Sequence, residues 1–392
     1  MNLDCRKWIL AVLLGLLAFL PNTASAGMTL DEVKAFEGYK AKADQGNVVA
    51  QCSLGNSYYS GQGVAKDFAQ ALAWWRKAAD QGNATAQTCL GVCYHYGEGV
   101  AKDEVEAVKW YRKAADQGNA FAQSDLGICY YNGEGVAKDE VEAVKWLRKA
   151  ADQGLAQAQF NLGYRHNYLR GVGITKDATE AVKWFSKAAN QGLATAQYML
   201  GCCYGDGDGV AKDATEAAKW YLKAAEQGHV VAQFNLGCSY FNGDGVANDK
   251  VEAVKWWRKA AEHGYASAQN NLGICYRDGA GVAKDEVEAV AWYRKAAEQG
   301  DALAQYNLGY SYFYGKGVAK DELEAYAYFN LVGITSEDAR KVITLIEKDL
   351  SPDARLRGQQ RTKELQREIA GKSENLRDLQ KEIEREKMLK GG

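Results

Sequence analysis

The sequence predicts an all-α fold, an α-solenoid of about eight two-helix repeats with terminal capping helices, and three observations predict it. First, the 392 residues match themselves at an interval of 36, and a fixed period of that size marks stacked supersecondary units. Second, only 2 prolines occur, Pro21 and Pro352, so the long span between them lacks the residue that breaks helix interiors. Third, each repeat carries its own helix stop and start signals, a glycine pair followed by an acidic opening. A composition of 47% hydrophobic and 25% charged residues excludes wholesale disorder. With 48 basic against 50 acidic side chains, the chain lacks the basic excess of a nucleic-acid binder, and no nucleic-acid partner is expected.

Residues 1–26 (MNLDCRKWILAVLLGLLAFLPNTASA) read as a signal peptide. Arg6 and Lys7 precede an apolar run from Trp8 to Leu20, and Ala24-Ser25-Ala26 supplies the small-residue cleavage pattern, with the cut after Ala26. The run is too short for a hydrocarbon layer about 30 Å thick at ~1.5 Å per residue, which disfavours the alternative of an uncleaved anchor. Secreted or periplasmic localisation is therefore expected, with no stable membrane span after signal removal. Residues 27–46 read as an N-terminal capping helix, with Thr29 and Glu32 as its capping box.

Residues 47–333 hold the eight units. The doublet Leu-Gly recurs from Leu54-Gly55 to Leu308-Gly309, preceded by Ala-Gln and usually followed by a tyrosine such as Tyr58 or Tyr94. One interval is 38 residues, because the fourth unit has a longer loop, RHNYLRGVGITKD. The Ala, Leu, Gly and Tyr fall on one stripe of a first helix. A G-x-G loop follows, and Asp103 with Glu106, repeated from unit to unit, forms an acidic capping box for a second helix. That helix turns Ala107, Trp110 and Ala114 inward and stops at Gly118. Two short helices cannot bury their faces alone, so the units must stack. Residues 334–392 read as a C-terminal capping helix, near 337–349, and a charged helical tail. In that tail Leu365, Ile369, Leu376, Leu379 and Ile383 stand at nearly heptad spacing. The expectation is a lone solvated helix, with self-association through it as the alternative.

The pattern A-x-x-x-L-G-x-x-Y…G-x-G-V-x-x-D…A-x-x-W-x-x-K-A-A-x-x-G closely resembles that of the Sel-1-like repeat family, α-solenoid relatives of the tetratricopeptide repeat, over about 47–330. Departures are few: Asn248 replaces the usual Lys, Ala280 interrupts an acidic loop position, and Tyr328 replaces Trp. The resemblance implies protein–protein interaction, often as an adaptor or scaffold. A cysteine-rich branch of the family staples each unit and has β-lactam-binding or hydrolysing activity attributed to it. Its cysteines flank the unit junction, where this chain has Ala79, Ala115 and Ala151.

The search for chemistry gives negatives. His95, His166, His229 and His263 fall at different repeat positions and form no H-x-x-x-H pair, so no metal site and no cofactor are expected. G-x-G here follows no strand, which rejects a dinucleotide loop. Neither is a catalytic residue expected, and the chain reads as a non-enzyme. Beyond Cys5 there are eight cysteines. Cys93, Cys129, Cys203 and Cys275 share one repeat slot with Ser57, Arg165, Ser239 and Ser311, mostly small residues, and equivalent positions on neighbouring helices stand about 8–10 Å apart, beyond the roughly 7 Å reach of a bridge. Small buried residues are favoured over disulfides.

The resemblance to the tetratricopeptide geometry implies that the first helices line a concave surface, and function is expected there, at −5, −2, +2 and +5 from each Leu-Gly leucine. These positions give Tyr59, Val92, His95, Phe121, Ile128, Tyr131, Phe160, Tyr164, Tyr198, Phe234, Phe241, Ile274, Arg277, Tyr306, Tyr310 and Phe313. Nearly all are apolar, aromatic or neutral, His95 and Arg277 are the only basic members, no carboxylate is among them, and the charge lies on the second helices. An exposed strip of this kind suits an apolar segment of a partner protein; the alternative is that these side chains pack on one another. On the groove reading, Asp at Phe234 and Tyr306 abolishes partner capture and leaves the helices intact. Three functions remain open: an adaptor of the envelope or secreted space, a cell-wall-directed β-lactam-binding protein, and a secreted effector engaging a host protein.

Overall fold

The structure, a computed structural model, describes residues 29–168, 177–333 and 336–390. The expected leader and most of the long fourth-unit loop lie outside the described residues. Within them there are nineteen helices and no strand, and no helix is long and apolar enough to cross a membrane. By its contacts the chain divides in two, one unit ending at Gln191 and the other beginning at Gly192.

The first unit opens with α1 (Leu30–Asp44) and continues as four helix pairs. These are α2 (Val48–Ser60) with α3 (Phe68–Asp80), α4 (Ala84–Tyr96) with α5 (Glu104–Asp116), α6 (Ala120–Asn132) with α7 (Glu140–Asp152), and α8 (Ala156–Tyr168) with α9 (Ala178–Asn190). The second unit repeats the scheme with α10 (Ala194–Asp206) and α11 (Ala214–Glu226), α12 (Val230–Asn242) and α13 (Lys250–Glu262), α14 (Ala266–Asp278) and α15 (Glu286–Ala297), α16 (Ala302–Tyr314) and α17 (Glu322–Val332). It closes with α18 (Glu337–Asp349) and α19 (Pro352–Lys390).

Local signals set these boundaries. First helices are capped by residues such as Asn83, whose Oδ1 accepts from the Ala86 amide at 2.9 Å, and stop at a left-handed glycine such as Gly97. Second helices start at Asp, as where Asp103 Oδ1 accepts from the Glu106 amide at 2.9 Å. The expected reciprocal half of the box differs. The Asp103 amide donates instead to the Tyr94 carbonyl at 2.8 Å, and Glu106 takes Lys109 at 2.9 Å. The cap amide therefore ties the second helix back to the first, and the carboxylate that would have reached it is left for a surface pair. Thr29 and Glu32 do form the complete box.

The core is continuous from repeat to repeat within each unit. Leu90 packs with Trp75 of the preceding second helix and Trp110 of the next, so one leucine joins two second helices, as stacking requires. The paired glycine is a contact requirement: a Cβ on Gly237 would stand 2.5 Å from the Trp257 ring. The Ala-Gln doublet has a role that its spacing alone did not reveal. Buried Gln87 donates through Nε2 to the Ala79 carbonyl at 3.1 Å, while its Oε1 accepts from Gln117 at 2.7 Å. The same relay recurs at Gln123 with Gln153 and at Gln269 with Gln299. Each glutamine thus links three successive helices and meets its own buried hydrogen-bonding need.

The tail departs from the solvated-helix expectation over its described side chains. Leu365 is buried in the cluster built by α15, α16 and α17. Arg361 Nε donates to Glu324 at 2.7 Å and Lys372 pairs with Glu298 at 2.8 Å. The spaced apolar residues serve docking onto the last repeats, where they shield an end that solenoids must cover. Leu376, Leu379 and Ile383 lie outside the described side chains.

Six of the eight cysteines from Cys52 to Cys275 are buried, and Cys202 and Cys238 are half-buried. Burial pushes the thiols up, to about 12 for Cys52 and Cys203 and about 11 for Cys275. Alkylation of the native protein at pH 8, followed by peptide mass mapping, should modify Cys202 and Cys238 well before Cys52 and Cys89.

Candidate functional site

Helix geometry places the sixteen expected strip residues on the first helices, and the structure sorts them into two kinds. Val92 and Phe160 belong to the core, at 6% and 3% exposure: Val92 joins the cluster that holds Val108 and Tyr111, and the Phe160 ring lies 5.8 Å from that of Phe185 on the paired second helix. The remainder are half-buried, resting on the core by one edge.

In the first unit the Tyr59 ring lies 5.4 Å from those of Phe68 and Trp75, and its hydroxyl donates to Glu98 at 2.7 Å. His95 stands edge-on to Tyr96. Phe121 and Ile128 are half-buried, and Tyr131 carries the Arg165 guanidinium 3.6 Å above its ring. Tyr164 sits 6.3 Å from Phe160. In the second unit Tyr198 stacks on His229, Phe234 meets Tyr265 at 5.1 Å, Phe241 lies over Trp257 at 5.1 Å, and Ile274 rests on the core. Tyr306, Tyr310 and Phe313 pack against the cluster formed by α17 and α18. The chain's own closing helices therefore occupy that end of the expected strip. Phe234 and Tyr306 consequently act as packing residues, and Asp there is expected to loosen the fold as well as the surface.

Two electrostatic expectations change. Arg277 is not an open cation, since its guanidinium grips Asp278 at 2.7 and 2.8 Å. The strip is also not free of carboxylates. Glu98 and Glu134 reach it from the G-x-G loops, and Asp125 flanks it at the −1 position. A helical wheel of the first helices shows neither loop residue, which is why they were missed. Burial holds His95 below the usual histidine range despite the opposing pull of Glu134.

Desolvation pushes the Asp125 carboxyl up to about 7. A carboxyl raised in the folded state favours folding while protonated, so its contribution is complete below about pH 4 and is lost as pH rises through 7. Other units place Asn161, Asn235, Asn271 and Asn307 at this position, so an amide fits the site. Asp125→Asn should stabilise the protein at pH 8 by about 1–3 kcal/mol and have little effect at pH 4, read from thermal melts at the two pH values.

One further cluster is formed across a repeat junction. His95, Cys129 and Glu134 bring one potential ligand atom each within 4.8 Å of one another, a set of nitrogen, sulfur and oxygen donors suited to a borderline metal ion. No local motif announced it, because its members are spaced by roughly one repeat.

The family pattern of the Sel1 repeat matches residues 48–83, 84–119, 120–155, 156–193, 194–229, 230–265, 266–301 and 302–331. Among solved structures, c5321, a protective antigen of uropathogenic Escherichia coli with an SLR fold, is similar at 34% identity and a TM-score of 0.76, covering 94% of this chain and 77% of that one. A Sel1 repeat protein from Oxalobacter formigenes is 32% identical with a TM-score of 0.60, covering 84% of this chain and 98% of its own. No curated protein sequence matches.

Proposed function

The chain belongs to the Sel1 repeat family, and on that premise we propose that it is a non-enzymatic adaptor that holds a segment of a partner protein on the inner surface of its first helices. The observation that carries this reading is the contrast between the two helix sets. First helices present half-buried aromatic and aliphatic side chains, whereas second helices carry Lys–Glu pairs such as Lys145–Glu142 and Lys255–Glu252 beside isolated exposed valines such as Val141 and Val251, with no aromatic strip among the described residues. Half-buried aromatics supply contact area at low ordering cost and suit binding anchors.

Exposed apolar residues extend the surface beyond the packed positions. Val49 and Leu303 are 69% and 68% exposed, each at the −5 position of its unit. The leader-like residues 1–26 support action in the envelope or secreted space. The test is crosslinking in the native envelope and mass spectrometry of what is captured. The reading expects a partner joined through first-helix peptides; crosslinks confined to second-helix peptides would contradict it.

A further inference from the structure

We propose that His95, Cys129 and Glu134 form a binding site for a divalent transition-metal ion of the zinc class, with three protein donors and water in the fourth position. This inference is independent of the partner-binding reading and stands on how adjacent repeats meet.

Repeat geometry determines which residues converge. The +5 residue at the end of one first helix meets the +3 and +8 residues of the next repeat. At the preceding junction Tyr59 reaches Glu98 at 2.7 Å, a +5 to +8 contact. At the following one Arg165 lies 3.6 Å from the Tyr131 ring, a +3 to +5 contact. The junction between them has metal-ligand chemistry at all three positions. The other junctions described within either unit do not, offering Phe241 with Cys275 and Ala280, or Arg277 with Ser311 and Lys316.

The placement is also firm. Cys129 is 2% exposed, and its carbonyl accepts the Glu134 amide at 3.1 Å, so the helix end and its loop hold thiol and carboxylate together. His95 Nε2 stands 3.8 Å from Glu134 Oε2, beyond a hydrogen bond, and Nδ1 is buried with no hydrogen-bond partner. Zinc bonds of about 2.0–2.3 Å imply ligand–ligand edges of about 3.3–3.6 Å in a tetrahedron. The observed cluster needs to close by only about an ångström to reach them. Thiolate and imidazole select against magnesium and calcium, which take oxygen ligands. Binding transfers the Cys129 thiol proton to solvent and involves no change of oxidation state. The bound ion would tie the end of α4 to the end of α6 and the loop that follows it.

The test uses the full chain, reduced and stripped with chelator, then titrated with Zn2+ by calorimetry and with Co2+ by absorption. One equivalent of Co2+ should give a thiolate-to-metal charge-transfer band and tetrahedral d–d bands, all displaced by Zn2+. Cys129→Ser should abolish the charge-transfer band. His95→Ala should weaken Zn2+ binding by more than the roughly 10–100-fold that follows loss of an outer partner. His263→Ala and Cys275→Ser should bind as the parent does, and far-UV CD establishes that each variant is folded. Absence of one-equivalent binding by the parent chain would overturn the proposal. So would a charge-transfer band that survives Cys129→Ser, or one lost equally in Cys275→Ser.

Discussion

Gly135→Ala should cost about 3 kcal/mol or more and appear as a marked fall in the thermal midpoint, while Gly118→Ala should cost about 1 kcal/mol. Both glycines have positive φ, +66° and +88°, so alanine at either is strained by roughly the same amount. Contact separates them. A Cβ on Gly135 would stand 2.0 Å from the Glu104 carbonyl oxygen, whereas one on Gly118 meets nothing within 4 Å. Because the obstacle is backbone, the loop must leave the preceding second helix, and the inter-repeat contact opens. Gly245, Gly281 and Gly317 face the same obstruction at 2.0, 2.2 and 1.9 Å. Stability of a stacked array depends on neighbour interfaces, so hydrogen exchange should show the loss spreading from this junction. Equal melts for the two variants would mean that the loop does not seat the next repeat.

Val49→Asp combined with Leu303→Asp should weaken partner capture at least about tenfold, or ~1.4 kcal/mol, with the thermal midpoint unchanged. Both side chains are mostly exposed, so little packing is lost. Each is also the second residue of its helix, where an added carboxylate interacts favourably with the helix dipole. A charge placed there tests the surface without disturbing the core, which Asp at Phe234 or Tyr306 would not. Affinity unchanged in the double variant, with the fold intact, would remove the exposed apolar positions from the binding surface.

Much of the fold was legible because repetition multiplies weak local signals. The Leu-Gly doublets, the Asp caps and the glycine stops placed both helices of every unit, since each depends on residues a few positions apart. What the sequence hid were contacts between helices, within a repeat and across repeats. The acidic box is half formed because the Asp amide is claimed by the carbonyl of a tyrosine nine residues earlier. The buried glutamine relay spans three helices, and the docking of Leu365 and Arg361 was masked by the high charge of the tail around them. The candidate surface was legible in outline for the same reason and misread in detail. A helical wheel ranks residues around one axis, so it could not show that Val92 and Phe160 are buried against the paired second helix. Nor could it show that Glu98 and Glu134 arrive from loops, or that α17 and α18 pack over Tyr306, Tyr310 and Phe313.

The most direct test of the binding account is site-specific photo-crosslinking in the native host cells. A photoreactive phenylalanine analogue is placed at Phe121 or Leu303 on first helices, or at Val141 or Val251, which are 50% and 54% exposed on second helices. The account predicts one shared adduct from positions 121 and 303 and none from 141 and 251. Adducts of equal yield from both helix sets, or from the second helices alone, would contradict it.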